Sequence, residues 1–286
     1  MYDVLSSNLK TFGSTLISNG GEKIMSIYKN FLYASLILFF LTLSCNVFSA
    51  EEGLVAHWSF DDGKGDVASD ITGNGNDGQI MGKSQWEAGK VGMALAFAKA
   101  DTIQVEIPDN PNLHITEQLT MSAWIKPSEI YLGAEWQERN CVIAKVRAYY
   151  LDISETGNLA SYLYNVQPEE WIVGETDMTQ FLNKWVHVAV VYDGTEHKLY
   201  VDGKLDISVK KSGTIAETTE ALHIGWVDNN RYFDGLIDEV MLWSRALTEG
   251  ELSNSLAINS RSKLATCWGT LKFIPISKNH GALFSE

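Results

Sequence analysis

The chain has 286 residues, of which 45% are hydrophobic, enough for one large or two small domains with a substantial core. A disordered protein is therefore excluded. The formal net charge is -14 at pH 7 and the pI is about 4.8, so the surface repels phosphate backbones. Nucleic acid is not expected as a partner, whereas divalent cations and neutral sugars remain open.

Residues 25–50 have the layout of a secretory signal peptide. Lys29 provides a basic flank, residues 31–47 form an apolar run, and Ala50 is a small residue at the expected cleavage position. The alternative is a membrane anchor, but the run is slightly shorter than the roughly 20 apolar residues of a span. We predict a secreted, periplasmic or cell-surface protein, with membrane contact only through an uncleaved signal or a lipid anchor at Cys45.

Processing also affects how the start and the cysteines are interpreted. Residues 1–24 are polar and unlike the beginning of a signal peptide, so they are interpreted as a misassigned upstream start, with Met25 as the true first residue. Only Cys141 and Cys267 remain after cleavage. In an exported protein they are either joined in a disulfide or left as two thiols, and the sequence leaves both alternatives open.

Short apolar runs separated by Gly, Asp and Asn fill residues 53–243, a pattern typical of strands joined by turns. In the first run Leu54, Ala56 and Trp58 share one face. About a dozen strands are too many for one open sheet to bury, so two packed sheets are predicted. The later runs are Met93–Phe97, Thr102–Ile107, Leu119–Ile125, Cys141–Val146, Tyr149–Ile153, Leu159–Tyr164, Trp185–Tyr192, Lys198–Val201, Ala221–Gly225 and Leu236–Trp243.

Two Asp-Gly pairs predict how neighbouring strands are connected. Asp202-Gly203 separates KLYV from KLDISV, and this dipeptide supplies the positive φ angles of a tight hairpin. Asp193-Gly194 ends the preceding strand in the same way. Residues Trp185–Ile207 are therefore predicted to form a three-stranded meander.

One short helix is predicted, over Thr248–Leu256. Thr248 is its N-cap and Glu251, three residues later, completes a capping box. Residues 257–286 have no comparable pattern and are interpreted as a C-terminal tail.

Four tryptophans lie within the predicted strands, where a large aromatic side chain most often fills the core: Trp58, Trp124, Trp185 and Trp243. His187 and His223 are isolated in apolar strands without partner ligands at metal-binding spacing. We interpret both histidines as packed or edge residues and not as ligands.

The ordered set of motifs resembles the LamG-like jellyroll domains of the concanavalin A-like lectin and glucanase superfamily, in their bacterial form. The motifs are LVAHWSFDDGKG, DITGNGNDGQI, QLTMSAWIKP, KWVHVAVVYDGTEHKLYVDGKL, LHIGW and YFDGLIDEVMLWSRALTEGEL. The resemblance implies an all-β, two-sheet antiparallel jelly-roll sandwich over residues 53–256. It also implies a frequent calcium ion and a role in binding or adhesion.

The loop of residues 70–78 is a candidate calcium site. It combines two carboxylates, two amide carbonyls and three glycines, which are the ligands and turns that calcium binding needs. The alternative is a polar turn. An acidic residue, Asp238, interrupts an apolar strand that the family resemblance places beside the first strand, and a buried carboxylate is costly unless it is paired or metal-bound. We predict a structural calcium ion held by Asp61 or Asp62 together with Asp70, Asn76 and Asp238.

Catalysis is not predicted. Retaining glucanases place two carboxylates about 5 Å apart, on a strand motif Glu-x-Asp-x-x-Glu. The nearest match begins at Glu175 and ends on Gln180, and Thr176–Gln180 is interpreted as a polar connection outside any strand. Asp238 and Glu239 are adjacent on a strand and should point to opposite faces. A glycoside hydrolase of the same superfamily remains the alternative to a binding domain.

A binding module is the favoured interpretation because many aromatic residues fall outside the core-like runs. Sugar rings stack on such side chains, and Tyr162 and Tyr164 share one side of the YLYN run. The alternatives are ordinary packing, or a purely structural or protein-interaction domain. We predict an extracellular glycan or protein ligand bound by Trp136, Tyr149, Tyr162, Tyr164, Trp171 and Trp226.

Overall fold

The computed structural model describes residues 52–133, 139–228 and 231–253. The predicted upstream start, signal peptide and tail, together with Trp136 and Cys267, lie outside these ranges. Within them, no helix is long and apolar enough to cross a membrane.

Eighteen strands are numbered here in chain order. They are β1 (Leu54–Trp58), β2 (Val67–Ala68), β3 (Gly78–Met81), β4 (Gln85–Ala88), β5 (Met93–Phe97), β6 (Gln104–Ile107), β7 (Leu119–Glu129), β8 (Asn140–Lys145), β9 (Tyr149–Ile153), β10 (Asn158–Leu163), β11 (Ile172–Asp177), β12 (Val186–Tyr192), β13 (Glu196–Val201), β14 (Lys204–Lys210), β15 (Leu222–Ile224), β16 (Trp226–Val227), β17 (Arg231–Tyr232) and β18 (Asp234–Trp243).

The strands form two antiparallel sheets of eight strands each and one small ribbon. The first sheet has the order β14-β13-β12-β7-β18-β5-β4, with β1 also paired to β18. The second sheet has the order β11-β10-β9-β8-β15-β6-β3-β2, and β16 and β17 form the ribbon. The predicted all-β jelly-roll sandwich is confirmed.

The main core lies between the sheets and contains side chains from both. Trp58 of β1 is completely buried in this core. Trp243 is also buried but belongs to a second cluster on the outer face of the first sheet. Trp124 is buried, whereas Trp185 is only half-buried and precedes β12. The interpretation of the four tryptophans as packing residues therefore holds best for Trp58 and Trp243.

The outer cluster is closed by the C-terminal helix, which covers residues 249–253 within the described chain. The backbone N–H of Glu251 donates to Thr248 Oγ1 at 3.3 Å, and Glu251 Oε2 accepts from the Thr248 backbone N–H at 2.8 Å. This is the predicted capping box. Leu252 packs against Met241 and Trp243, so the helix is held by side-chain packing on the first sheet.

The predicted hairpin and meander are present. Asp202 and Gly203 have φ angles of 47° and 73°, and they join β13 to β14 with Val201 directly opposite Lys204. Positive φ at both turn residues is the geometry of a tight hairpin that matches strand twist. β12, β13 and β14 are consecutive neighbours in the first sheet.

Strand β18 joins the two ends of the domain. Its residues 235–237 pair with β5 and its residues 240–243 pair with β1. Strands β5 and β1 therefore lie end to end along the same side of β18. Between the two segments β18 has a bulge, where Glu239 takes a positive φ of 51°. Ile237 and Val240 both face the core although they are three positions apart, so the bulge breaks the alternation that was predicted for Asp238 and Glu239. Both acidic side chains are buried, and each has its own partners.

The interpretation of Thr176–Gln180 as a polar connection outside any strand is wrong, because the segment begins within strand β11. Thr176 and Asp177 end the strand, and the 3-10 helix Met178–Phe181 follows. Asp206 of β14 accepts hydrogen bonds from the backbone N–H groups of Glu175 and Thr176 and from Thr176 Oγ1. This carboxylate links the edge of the first sheet to the edge of the second. Gly174 is required there, because a Cβ atom would lie 1.9 Å from Asp206 Oδ2.

Candidate functional site

The outer face of the second sheet carries a group of aromatic side chains. Along β9, Tyr149 and Leu151 face the core, so strand alternation directs Tyr150 to the outside. Tyr162 of β10 lies directly opposite Tyr150 and faces the same way. With Tyr164 and Trp171 these residues form what we call the aromatic platform: Tyr150, Tyr162, Tyr164 and Trp171.

The rings of the aromatic platform contact one another in tilted or edge-on arrangements. The ring centroids of Tyr162 lie 4.8 Å from Tyr164 and 5.3 Å from Trp171, and those of Tyr150 lie 5.8 Å from Tyr164 and 6.0 Å from Trp171. These are favourable separations for aromatic pairs. Tyr150 is buried beneath the group, whereas the other three side chains are only partly buried. The platform therefore presents three ring systems to solvent.

A buried lysine holds the loop that leads into Trp171. Lys211 Nζ donates to the carbonyl oxygens of Pro168 at 2.7 Å and of Glu170 at 2.6 Å. At the other end of the loop, Asn165 Nδ2 donates to the Thr214 carbonyl at 3.1 Å. Burial lowers the pKa of Lys211 from its ordinary value. The ammonium group thus fixes the backbone from which Trp171 projects.

Charged side chains border the platform, and we call them the charged rim: Arg139, Asp152, Glu155, Asp228 and Arg231. The guanidinium carbon of Arg139 lies 3.8 Å from the Trp171 ring centroid, and that of Arg231 lies 5.2 Å from the Tyr150 centroid. Arg139 pairs with Glu155 at 2.9 Å, and Arg231 pairs with both Asp228 at 2.6 Å and Asp152 at 3.3 Å. Each of the two arginines therefore lies against one ring of the platform.

Burial raises the pKa of Asp152 in the charged rim and of the neighbouring Cys141. The pKa of Asp152 is raised to about 6, mainly because the carboxylate is removed from solvent, and the positive charges of Arg231 and Arg139 offset only part of this effect. Cys141 lies beside Asp152, and burial raises the pKa of its thiol well above the usual range. Cys141 is therefore held as a neutral thiol, and it forms no disulfide among the described residues.

The ribbon of β16 and β17 covers the middle of the outer face. Val227 packs on Cys141, Ala144 and Tyr150, and so places the ribbon over β8 and β9. Trp226 contacts the rings of His223, at 4.8 Å, and of Tyr232, at 6.3 Å. His223 is buried, as the sequence predicted, and burial lowers its pKa. The ribbon forms a wall at one side of the aromatic platform.

The predicted ligand residues have three different placements. Tyr162, Tyr164 and Trp171 meet in the platform, and Trp226 lies on the same face but in the ribbon. The prediction that Tyr149 binds a ligand is wrong. This residue is completely buried in the core, and its hydroxyl donates to the Leu113 carbonyl at 3.0 Å. No ligand can reach that side chain. Trp136 lies outside the described residues.

Sequence reasoning missed the charged rim. One signal was available: Asp152 interrupts the apolar strand YYLDI just as Asp238 interrupts the last strand, and a buried carboxylate implies a partner. The partner, Arg231, lies 79 residues away, and Arg139 is in a connection with no periodic pattern. Nothing local to the sequence identifies either arginine.

The predicted calcium ligands fall into separate hydrogen-bond sets. Asp70 accepts five hydrogen bonds, from the His57 N–H, from the N–H and Oγ1 of Thr72, and from the N–H and Nδ2 of Asn76. Asp62 accepts from the backbone N–H and hydroxyl of Ser69. The loop of residues 70–78 is thus anchored as a hydrogen-bonded polar turn.

Asp61 and Asp238 both face the turn at residues 89–93. Asp61 Oδ1 accepts from the Met93 N–H at 2.9 Å, and Asp238 Oδ2 accepts from the Val91 N–H at 3.0 Å. A Cβ atom on Gly92 would lie 2.1 Å from Asp61 Oδ1, so the carboxylate approaches the backbone closely.

These contacts do not fit a single calcium site. Calcium requires six to eight oxygen ligands around one point, whereas the Asp70 carboxylate is already saturated by protein donors. Among the described residues, no group of three or more His, Cys, Asp or Glu side chains is arranged to hold a metal ion. Calcium binding stays a prediction.

Two of the acidic residues considered for catalysis, Asp177 and Glu239, have structural partners. Glu175 and Asp177 are exposed at the end of β11, and Asp177 caps the following 3-10 helix by accepting from Thr179 N–H and Oγ1. Those bonds lower the pKa of Asp177. Glu239 Oε2 lies 2.7 Å from His57 Nε2.

Three of the solved structures with similar folds are two toxin binding domains and one domain of a glycan-degrading enzyme. Domain 4 of an extracellular GH43 arabinanase from Geobacillus stearothermophilus, solved in complex with arabinotriose, is 25% identical with a TM-score of 0.54, covering 70% of this chain and 97% of that domain. The binding domain of Paraclostridial mosquitocidal protein 1 is 16% identical, with a TM-score of 0.58 and coverage of 73% and 52%. The binding domain of botulinum neurotoxin serotype D/C is 15% identical, with a TM-score of 0.56 and coverage of 74% and 53%.

The two toxin domains show a common fold only, and this chain spans about half the length of each. No curated protein matches the chain. A laminin G-type family model, described as concanavalin A-like lectin/glucanases superfamily, matches residues 99–253, more than half of the chain. This chain belongs to the laminin G-type family of the concanavalin A-like lectin/glucanase superfamily.

Proposed function

We propose that this domain is a non-catalytic carbohydrate-binding module that docks an oligosaccharide on the aromatic platform. The observation that carries the proposal is the meeting of Tyr162, Tyr164 and Trp171 as partly exposed rings on one sheet face. Apolar faces of sugar rings stack on such surfaces, and the rigid rings lose little entropy on binding. The similarity to an arabinanase domain solved with arabinotriose supports the same class of ligand.

The proposal includes an extracellular setting and a role without catalysis. The signal-like layout of residues 25–50 supports export, and a glycan ligand is consistent with it. The acidic residues nearest to a glucanase motif serve as a helix cap and as an exposed strand end, which supports binding without hydrolysis. A test for hydrolysis of linear arabinan by the purified protein addresses this part directly, and released reducing ends would overturn it.

Calorimetric titration with arabinotriose, preceded by a glycan array read with and without calcium, tests the binding proposal. We expect Trp171→Ala and Tyr162→Ala to weaken binding by about tenfold or more, since each removes a stacking ring worth more than about 1.4 kcal/mol. Trp124→Ala is the matched control, because Trp124 lies on the outer face of the first sheet, on the other side of the sandwich.

Melting curves of all three variants establish that each is folded before binding is compared. An array without any glycan signal, in either condition, would favour a protein partner or a purely structural role. Equal loss of affinity in Trp124→Ala and Trp171→Ala would contradict the assignment of the ligand to the platform.

A further inference from the structure

Arg139 is an unusual component of the platform because its charge is buried but only partly paired. The residue is 4% exposed and its guanidinium lies against the Trp171 ring. Its Nη2 atom donates to Glu155 at 3.2 Å. Within the described residues, its Nε and Nη1 atoms are buried and have no acceptor. Buried donors are nearly always hydrogen-bonded, so these two N–H groups point to an acceptor that the described part of the chain does not provide.

The same face also holds an acceptor and further donors without partners. Asp152 is completely buried, and its Oδ1 atom accepts no hydrogen bond from a nitrogen or oxygen donor of the described chain. Trp226 Nε1 of the ribbon and His223 Nδ1 of β15 are likewise buried without hydrogen-bond partners among the described residues. A hydroxyl group can donate one hydrogen bond and accept two. Mixed donors and acceptors beside stacking rings therefore suit a ligand rich in hydroxyl groups.

The charges of the rim show which kind of sugar suits this site. Two arginines are matched by three carboxylates, since Arg139 pairs with Glu155 and Arg231 pairs with Asp152 and Asp228. The chain as a whole carries a formal charge of -14. A carboxylated or sulfated sugar would find no uncompensated positive charge here and would be repelled by the acidic surface.

We infer that the ligand is an uncharged oligosaccharide whose hydroxyl oxygens accept hydrogen bonds from Arg139 Nε and Nη1 while its ring stacks on the aromatic platform. This inference rests on the proposed carbohydrate-binding function and adds to it the charge class of the ligand and a specificity-determining residue. Arg139 acts through hydrogen bonds and not through its net charge, because Glu155 already neutralises it.

The first test compares a neutral linear arabino-oligosaccharide with an oligogalacturonate of similar length by calorimetry of the unmodified protein. We expect the neutral ligand to bind with an affinity that changes less than about twofold between about 0.02 M and about 0.5 M NaCl, since screening acts on charge pairs and leaves neutral hydrogen bonds in place. Tighter binding of the uronate, with an affinity that falls as salt rises, would overturn the inference while leaving carbohydrate binding intact. Absence of binding by any oligosaccharide would overturn the proposed function instead.

The second test compares Arg139→Gln with Arg147→Gln. Arg147 lies in the turn between β8 and β9 with a side chain that is 72% exposed. It contacts the platform only through its backbone N–H, which donates to the Tyr150 hydroxyl at 3.0 Å and is kept in Arg147→Gln, so this variant matches the charge change without removing a side-chain contact. We expect at least about a tenfold loss of affinity for the neutral ligand in Arg139→Gln and none in Arg147→Gln. Unchanged binding by a folded Arg139→Gln protein would overturn the role of Arg139. If Arg139→Gln fails to fold, the comparison of neutral and charged ligands by the unmodified protein still decides the charge class.

Discussion

Buried histidines make individual residues of this domain sensitive to acid. His187 is 3% exposed and His197 is completely buried, and burial lowers the pKa of each to about 3, with Lys211 adding to the effect at His197. Ser161 gives its hydroxyl proton to the Tyr150 carbonyl, so its oxygen accepts from His197 Nε2, 2.9 Å away. His197 is therefore a neutral hydrogen-bond donor in the folded protein.

The lowered pKa values set the direction of the pH dependence. Because the unfolded chain binds protons on both histidines below about pH 6.5 and the folded chain does not, the free energy of unfolding falls as pH falls toward 3. From pH 7 to pH 5 each histidine removes roughly 2 kcal/mol. Asp152 acts in the opposite direction. Because its pKa is raised to about 6 in the folded protein, its protonation between pH 7 and pH 5 increases the free energy of unfolding by roughly 1 kcal/mol.

We expect urea unfolding to give a free energy that is about 2 to 3 kcal/mol lower at pH 5 than at pH 7. In His187→Phe, which keeps a ring against Trp124, that difference should shrink by about 2 kcal/mol. An equal decrease in the variant and the unmodified protein would show that His187 is protonated in the folded state.

At the residue scale, the sequence predicted part of the platform and not its charged surroundings. Tyr162 and Tyr164 are two positions apart, so alternation placed them together, as the structure confirms. Tyr149 and Tyr150 are adjacent in a strand that is buried on both faces, and such a strand carries no periodic signal that separates inward from outward residues. The arginines come into contact with the platform only through the tertiary fold.

At the element scale, strongly apolar strands were predictable and polar edge strands were not. Met93–Phe97 and Tyr149–Ile153 match the structure at both ends. Strand β11 was missed because its polar backbone is satisfied by a carboxylate of β14, 30 and 31 residues along the chain. A contact of that kind leaves no trace in the local composition of either segment.

The same contact yields a prediction about stability. We expect Asp206→Ala to lower the free energy of unfolding by about 1 to 3 kcal/mol, because it leaves the N–H groups of Glu175 and Thr176 without their acceptor. Ser208→Ala, at an exposed position of the same strand, is the control and should change it by less than about 0.5 kcal/mol. Equal urea midpoints for the two variants would mean that the link between the sheet edges contributes nothing.

At the scale of the whole molecule, calcium is the hypothesis most open to direct measurement. A structural ion that binds only the folded state raises the melting temperature, and the rise grows with calcium concentration. If Asp61 and Asp238 are rearranged around such an ion, the unmodified protein melts higher with calcium than with EDTA, and Asp238→Asn loses this difference. Identical melting curves with calcium and with EDTA would reject the predicted site.

Whole-molecule architecture was predictable because the ordered motifs specify a family and the family specifies a topology. The pairing of the first and last strands followed from the resemblance, and the structure confirms it through Leu54 opposite Trp243 and Trp58 opposite Val240. The bulge at Glu239 was not predictable, since it depends on how β18 meets β1 and β5 at once.

The pairing of β1 with β18 has a practical consequence for how the domain can be attached to something else. Both ends of the described domain leave from the first sheet, where residues 249–253 also pack, whereas the aromatic platform lies on the opposite side of the sandwich. A tether at either end, whether a neighbouring domain, a membrane anchor or a biosensor chip, would therefore leave the aromatic platform turned away from the support. Immobilisation through the amino or the carboxyl end should give the same binding curve.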